Sequence, residues 1–117
     1  MKIIYFGHNK RGSACLQALA SSGHEILHTF GVDGESGWYS SIEKVAKKYG
    51  LPFEETSNPN DENFISKLKS LKPDLFVLCG YPKYMGQAVL GIPEKGAINL
   101  HASKLPHFRG AAPLNWA

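Results

Sequence analysis

Apolar and polar positions along this chain switch repeatedly between a period of two and a period near 3.6, and each switch marks a change of element. Residues 2–6, Lys-Ile-Ile-Tyr-Phe, are β-formers closed by Gly7 and predict a first strand. Over residues 11–22 the apolar positions Ala14, Leu16, Leu19 and Ala20 fall at roughly helical spacing, and Gly23 is suited to end the helix. Glu25–Val32 favours a strand again, with Ile26, His28 and Phe30 alternating against Leu27 and Thr29. Asp33-Gly34-Glu35-Ser36-Gly37 is a turn-rich loop. Ser40 or Ser41 then caps a helix reaching Tyr49, with Ile42, Val45, Ala46 and Tyr49 on one face and Gly50 closing it.

Residues 51–55 read as a short strand, at or near a sheet edge because Pro52 cannot donate to a ladder. Residues 56–60 are loop. Asp61 opens an amphipathic helix carrying Phe64, Ile65, Leu68 and Leu71, which Lys72-Pro73-Asp74 breaks. Leu75–Cys79 is continuously apolar up to Gly80, as expected of a strand buried on both faces. A short helix over 84–90 and a last strand, Ala97–Leu100, complete the pattern. Strands alternating with helices across short connections predict an α/β fold: a doubly wound, mostly parallel, Rossmann-like sheet. Ligands of such sheets sit beyond the strand carboxyl ends. Residues 7–12, 80–85 and 99–109 should therefore line one edge.

Composition narrows the picture. The 117 residues form one domain large enough to bury a core, and 43% hydrophobic against 20% charged is a globular balance. No apolar run approaches the ~20 residues of a membrane helix. The N-terminal run stops at Gly7 without a small-residue cleavage site, so it reads as a strand and not a signal peptide. Cys15 and Cys79 make neither a metal spacing nor a disulfide framework, so both are expected as core-filling thiols in a reducing cytoplasm. A net charge of +3, scattered along the chain, is too mild to argue for nucleic acid. Lys44, Lys47 and Lys48 need only solvent. His8, His24, His28 and His107 lack ligand-like spacing, and no metal is expected.

Two motifs carry candidate chemistry. Gly7-His8-Asn9-Lys10-Arg11-Gly12-Ser13 has the outer spacing of a phosphate loop but lacks its lysine, and it also lacks the dinucleotide glycine pattern. It is expected to be a strand-to-helix turn, whose N–H groups could still meet an anion. At the far end, Asn99 and His101 leave a strand two residues apart and so on one face. Pro106, Gly110 and Pro113 fix the loop that follows. An amide donor beside an imidazole suits chemistry at a carbonyl: one holds an oxyanion, the other moves a proton.

The stretch Asn99-Leu100-His101-x-Ser103-x-Leu105-Pro106-x-x-Arg109-Gly110-Ala111-Ala112-Pro113-Leu114-Asn115-Trp116-Ala117 closely resembles the motif of the formyltetrahydrofolate-dependent formyltransferases. That family includes enzymes acting on methionyl-tRNA, on glycinamide ribonucleotide and on amino sugars. The resemblance covers the whole chain, through residues 2–7, Ser22-Gly23-His24-Glu25, Lys72-Pro73-Asp74-Leu75 and residues 93–99. It implies a catalytic trio of Asn, His and Asp, of which Asn99 and His101 match the first two. The aspartate is expected beyond residue 117. Residues 1–117 are accordingly expected to be the N-terminal portion of a catalytic domain, with its sheet incomplete at the C-terminus, and nearly inactive alone. Such a portion could be a fragment or a decayed gene product.

The resemblance also implies 10-formyltetrahydrofolate as formyl donor. Ser103, Lys104, Leu105 and Pro106 match the loop that contacts the reduced folate, and Lys83, Tyr84 and Met85 match the segment whose backbone borders the pterin. In the implied mechanism a primary amine attacks the formyl carbon, Asn99 holds the resulting O⁻, and His101 or an ordered water carries the proton to the leaving nitrogen. The acceptor expected first is an amino-sugar nucleotide, because loop 33–39 is short, carries two acids and has no lysine or arginine to neutralise RNA phosphate. The motif Arg109-Gly110-Ala111-Ala112-Pro113 points to Met-tRNA as the alternative. A non-catalytic folate- or nucleotide-binding remnant is the reading from another class.

Overall fold

A computed structural model of the chain describes residues 1–32 and 41–100. In chain order these form β1 (Lys2–Gly7), α1 (Asn9–Ala20), β2 (Glu25–Val32), α2 (Ser41–Lys48), β3 (Phe53–Thr56), α3 (Glu62–Leu71), β4 (Leu75–Cys79), α4 (Gln87–Leu90) and β5 (Ala97–Leu100). The five strands make one sheet in the order β3-β2-β1-β4-β5, with every neighbouring pair parallel. The chain thus winds outward from β1 to β3, then crosses back to place β4 on the other side of β1. That reversal opens a crevice at the carboxyl ends of β1 and β4.

Strands at the centre are apolar on both sides because both sides are covered. Ile3, Tyr5, Val77 and Cys79 pack with Leu16 of α1 and Ile42 of α2. Ile4, Phe6, Phe76 and Leu78 face the other way, onto Leu68 of α3 and Val89 of α4. Phe6 centres an aromatic group, with ring centroids 5.3 Å from Phe30, 5.2 Å from Phe76 and 5.4 Å from Tyr81. The expected doubly wound architecture is what forms.

The bounds of β2, β4 and β5 coincide with the sequence expectation, and β3 is an edge strand among the described residues, as Pro52 implied. Other expectations need correction: β3 runs Phe53–Thr56 and not 51–55, and α2 ends at Lys48 and not at Tyr49. Helix α1 begins at Asn9 and not at residue 11, since the Asn9 side-chain oxygen accepts from the Arg11 and Gly12 N–H groups and serves the first turn itself. It ends at Ala20 because the Ser21 and Ser22 hydroxyls donate back to carbonyls of its last turn. The helix expected over 84–90 is only Gln87–Leu90.

The facing of β2 also differs from expectation. The register against β1 runs Lys2 to Glu25 and Ile3 to Ile26, then shifts so that Ile4 meets His28. Leu27 is the extra residue, a bulge-like slip that reverses the alternation. Ile26 therefore packs beneath α1 and α2, while Phe30 lies in the opposite core. His28 is buried, its ring stacked on Phe30 at 4.3 Å and its Nε2 3.4 Å from a Glu54 carboxylate oxygen.

Candidate active site

The carboxyl edge of the sheet is built by close backbone approach. The His8 N–H donates to the Cys79 carbonyl at 3.3 Å, tying the exit of β1 to the exit of β4. Gly80 follows with φ +73°, and a Cβ there would lie 2.9 Å from the His8 carbonyl oxygen. Only glycine meets both demands. Gly12 does the same for α1: a Cβ would meet the Cys79 carbonyl oxygen at 3.0 Å and Ile42 at 3.1 Å. Its own carbonyl accepts the buried Tyr5 hydroxyl at 2.5 Å. The Gly7–Ser13 motif is therefore the packed strand-to-helix turn expected, with its glycines serving contact.

Behind that turn the Cys79 thiol donates to the Arg11 carbonyl at 3.7 Å, in the same core layer as Cys15. Cys79 is buried, and Cys15 half-buried on α1, so both fill the core as expected. Hydrogen bonding with Cys79 holds the Cys15 thiol down to about 7. The same bond, helped by burial, pushes Cys79 up, and burial chiefly raises Tyr5. Reactivity follows the thiolate. Iodoacetamide is therefore expected to modify Cys15 with a midpoint near pH 7, the rate rising with pH, while Cys79 stays unmodified up to about pH 9. Peptide mass mapping reads both sites, and equal labelling of the two would contradict this assignment.

Asn99 lies near the carboxyl end of β5, paired in the ladder with Leu78, and is half-buried. Ala97, two residues earlier, packs into the core beneath α3 and α4, so Asn99 points to that same side. Ile98 and Leu100 point the other way and are exposed. Over the side that Asn99 shares runs the strap 80–86, anchored by the buried Tyr81 and Met85. Between those anchors Lys83 is half-exposed and Tyr84 is 79% exposed. The strap thus offers backbone, rather than the Met85 side chain, to anything at the edge. Among the described residues the Tyr84 N–H and both backbone groups of Met85 carry no hydrogen bond. Of the other expected site residues, His101, Ser103, Lys104, Leu105 and Pro106 lie outside the described residues, as do residues 33–40, where a turn-rich loop and the Ser40 cap are expected.

A residue the sequence reading passed over completes the strap. Asn60, read only as loop, donates from Nδ2 to the Tyr84 carbonyl at 2.9 Å and accepts the Gly86 N–H on Oδ1 at 2.7 Å. These bonds take up the backbone that would otherwise have started α4 at residue 84. No local signal announces them, since the partners lie 24 and 26 residues away.

A concavity of about 230 Å³ on this edge lies between the end of β3 and the start of α3. Two of its carboxylates already have structural work. Asp61 caps α3 by accepting from the Asn63 and Phe64 N–H groups. Glu54 binds Lys67, whose hydrogen bond holds its carboxyl below the usual range. Among the described residues, no three His, Cys, Asp or Glu side chains gather as a metal set, and no helix is long and apolar enough to cross a membrane.

Comparison with known proteins gives this edge its context. Residues 1–117 match the formyl transferase family. The chain is 41% identical over 121 residues to a methionyl-tRNA formyltransferase of Thermodesulfovibrio yellowstonii, covering 98% of this chain and 39% of that protein. It is 35% identical to the bifunctional polymyxin resistance protein ArnA of Wigglesworthia glossinidia brevipalpis, covering 99% of this chain and 18% of the other. The chain thus spans about two-fifths of the methionyl-tRNA formyltransferase it matches. Among solved structures, phosphoribosylglycinamide formyltransferase from Anaplasma phagocytophilum superposes with a TM-score of 0.67 at 28% identity, over 91% of this chain and 52% of the other. The Streptococcus pneumoniae TIGR4 enzyme of that name shares the fold, with a TM-score of 0.67 at 23% identity over 92% of this chain and 61% of its own. Matched from its first residue to its last, on a frame its solved relatives share, the chain belongs to the formyl transferase family.

Proposed function

We propose that this chain contributes the donor-binding and reacting edge of an enzyme that moves a formyl group from 10-formyltetrahydrofolate to a primary amine. The observation that carries the reading is the position of Asn99, at the carboxyl end of β5 and on the side over which the strap runs, in a chain matched end to end by the formyl transferase family. The strap fits the donor. A flat heterocycle edged with hydrogen-bonding groups needs fixed backbone partners, and Tyr84 and Met85 hold such groups uncommitted. Lys83, Tyr84 and Met85 border the pterin in this reading, and Ser103, Lys104, Leu105 and Pro106 complete the folate contact.

The donor supplies an N-formyl carbonyl, open to attack by a neutral amine. The Asn99 carboxamide donates to the carbonyl oxygen as negative charge builds there. His101 takes the proton that the amine loses and returns it to the departing nitrogen. An aspartate beyond residue 117 completes the trio in this reading.

For the acceptor, the names of the relatives favour Met-tRNA over the amino-sugar nucleotide expected first. Three relatives called methionyl-tRNA formyltransferase are 34–41% identical to this chain. The sugar nucleotide stays as a second reading on one observation: the segment 33–39 carries Asp33 and Glu35 and no basic residue, a poor composition for contact with RNA phosphate. The test is formyl transfer by the full-length protein from labelled 10-formyltetrahydrofolate to Met-tRNA and to an amino-sugar nucleotide in parallel. Labelled product from one acceptor identifies the substrate class. Folate binding with no transfer to any amine would replace the enzyme reading with a non-catalytic binding module.

A further inference from the structure

We infer that Asn60 is a positioning residue for the strap 80–86 and, through it, for the formyl donor. The inference rests on the donor reading above and goes beyond it by naming what holds the donor's backbone contacts in place. The Asn60 amide spans residues 84 and 86 as a neighbouring strand would, donating to one backbone group and accepting from the other. Only one orientation of the amide satisfies both bonds. Gly86 lets it come close, since a Cβ there would lie 3.2 Å from the Asn60 oxygen.

Asn60 is itself held. Its N–H donates to the Asn58 side-chain oxygen at 3.0 Å, and the next N–H, of Asp61, donates to the Asn58 carbonyl at 3.2 Å. Pro59 is buried beside it. Asp61 caps α3, and Phe64 in that first turn packs edge-on against Phe6 and Phe30. A continuous run of contacts therefore links the aromatic core to the height of residues 83–85 above the sheet edge. The strap belongs to no helix or strand. Tyr81 and Met85 fix it by their side chains, and Asn60 alone among the described side chains holds its backbone at Tyr84 and Gly86. Asn60 is exposed, so water can replace both bonds when the side chain is cut back. The loss then falls on the order of the strap and spares the stability of the fold.

The test is Asn60→Ala in the full-length protein. The KM for 10-formyltetrahydrofolate is expected to rise about tenfold, with the acceptor KM unchanged and kcat at saturating donor within roughly threefold. A merely structural residue would move both KM values and the unfolding midpoint together. Hydrogen exchange of the Gly86 amide, followed without ligand, is expected to quicken about tenfold or more. Donor and acceptor KM rising in step, neither KM changing, or Gly86 exchange unaltered would each overturn the inference. If the wild-type protein does not use formyl-folate, the donor reading and the donor role of Asn60 fall together, and Gly86 exchange alone still decides whether Asn60 holds the strap.

Discussion

Replacing Asn99 by alanine in the full-length protein is expected to lower the turnover of formyl transfer by roughly 10²–10³-fold. Asn99 sits near the last residue of β5, half-buried, on the side beneath the strap. A donor fixed there strengthens its bond as a carbonyl oxygen becomes an oxyanion, and an interaction stronger in the transition state than in the ground state acts on kcat. The KM values should move little, and kcat and kcat/KM should fall together. The unfolding transition should stay near that of the wild type, since Asn99 is not part of either core cluster. Steady-state kinetics with both substrates varied reads this directly. Turnover within about threefold of wild type would remove Asn99 from the reacting centre.

The largest effect on stability is expected at Phe6. Its ring is fully buried on β1 and touches Phe30, Phe64, Phe76 and Tyr81, so Phe6→Ala leaves a cavity that four surrounding rings cannot easily fill. Substitutions of this kind cost about 3–5 kcal/mol. Against a total stability of about 5–15 kcal/mol, that is a large share. Urea unfolding of the full-length protein should show a lower midpoint with an unchanged slope. Because Tyr81, which packs on Phe6, anchors the strap, donor binding should weaken as well. A loss under about 1 kcal/mol would show that the core relaxes around the gap and that the aromatic group is not its keystone.

Much of the frame was legible because central strands have little freedom. Leu75–Cys79 and Ala97–Leu100 could be bounded from their apolar runs and the glycines beside them. Pro52 located the edge strand through a missing donor. What escaped prediction depends on partners distant in sequence. The start of α4 is set by Asn60, and the true facing of Ile26 is set by pairing with Ile3 across the sheet. Pattern along the chain carries neither fact. The site was half legible for the same reason. The i, i+2 spacing of Asn99 and His101 and the neighbouring motif stand in the sequence, but the support beneath Tyr84 and Gly86 exists only once α3 has docked.

The slip at Leu27 divides β2 into two phases that answer to different neighbours. Before it Ile26 lies opposite Ile3 in the layer under α1 and α2; after it Thr29 lies opposite Tyr5, and Phe30 opposite Phe6 in the aromatic layer. Such a strand works like a coupling between two gears of unequal pitch. The extra residue keeps each β2 side chain opposite a β1 partner of its own layer, so a one-residue mismatch between neighbouring strands leaves both cores filled.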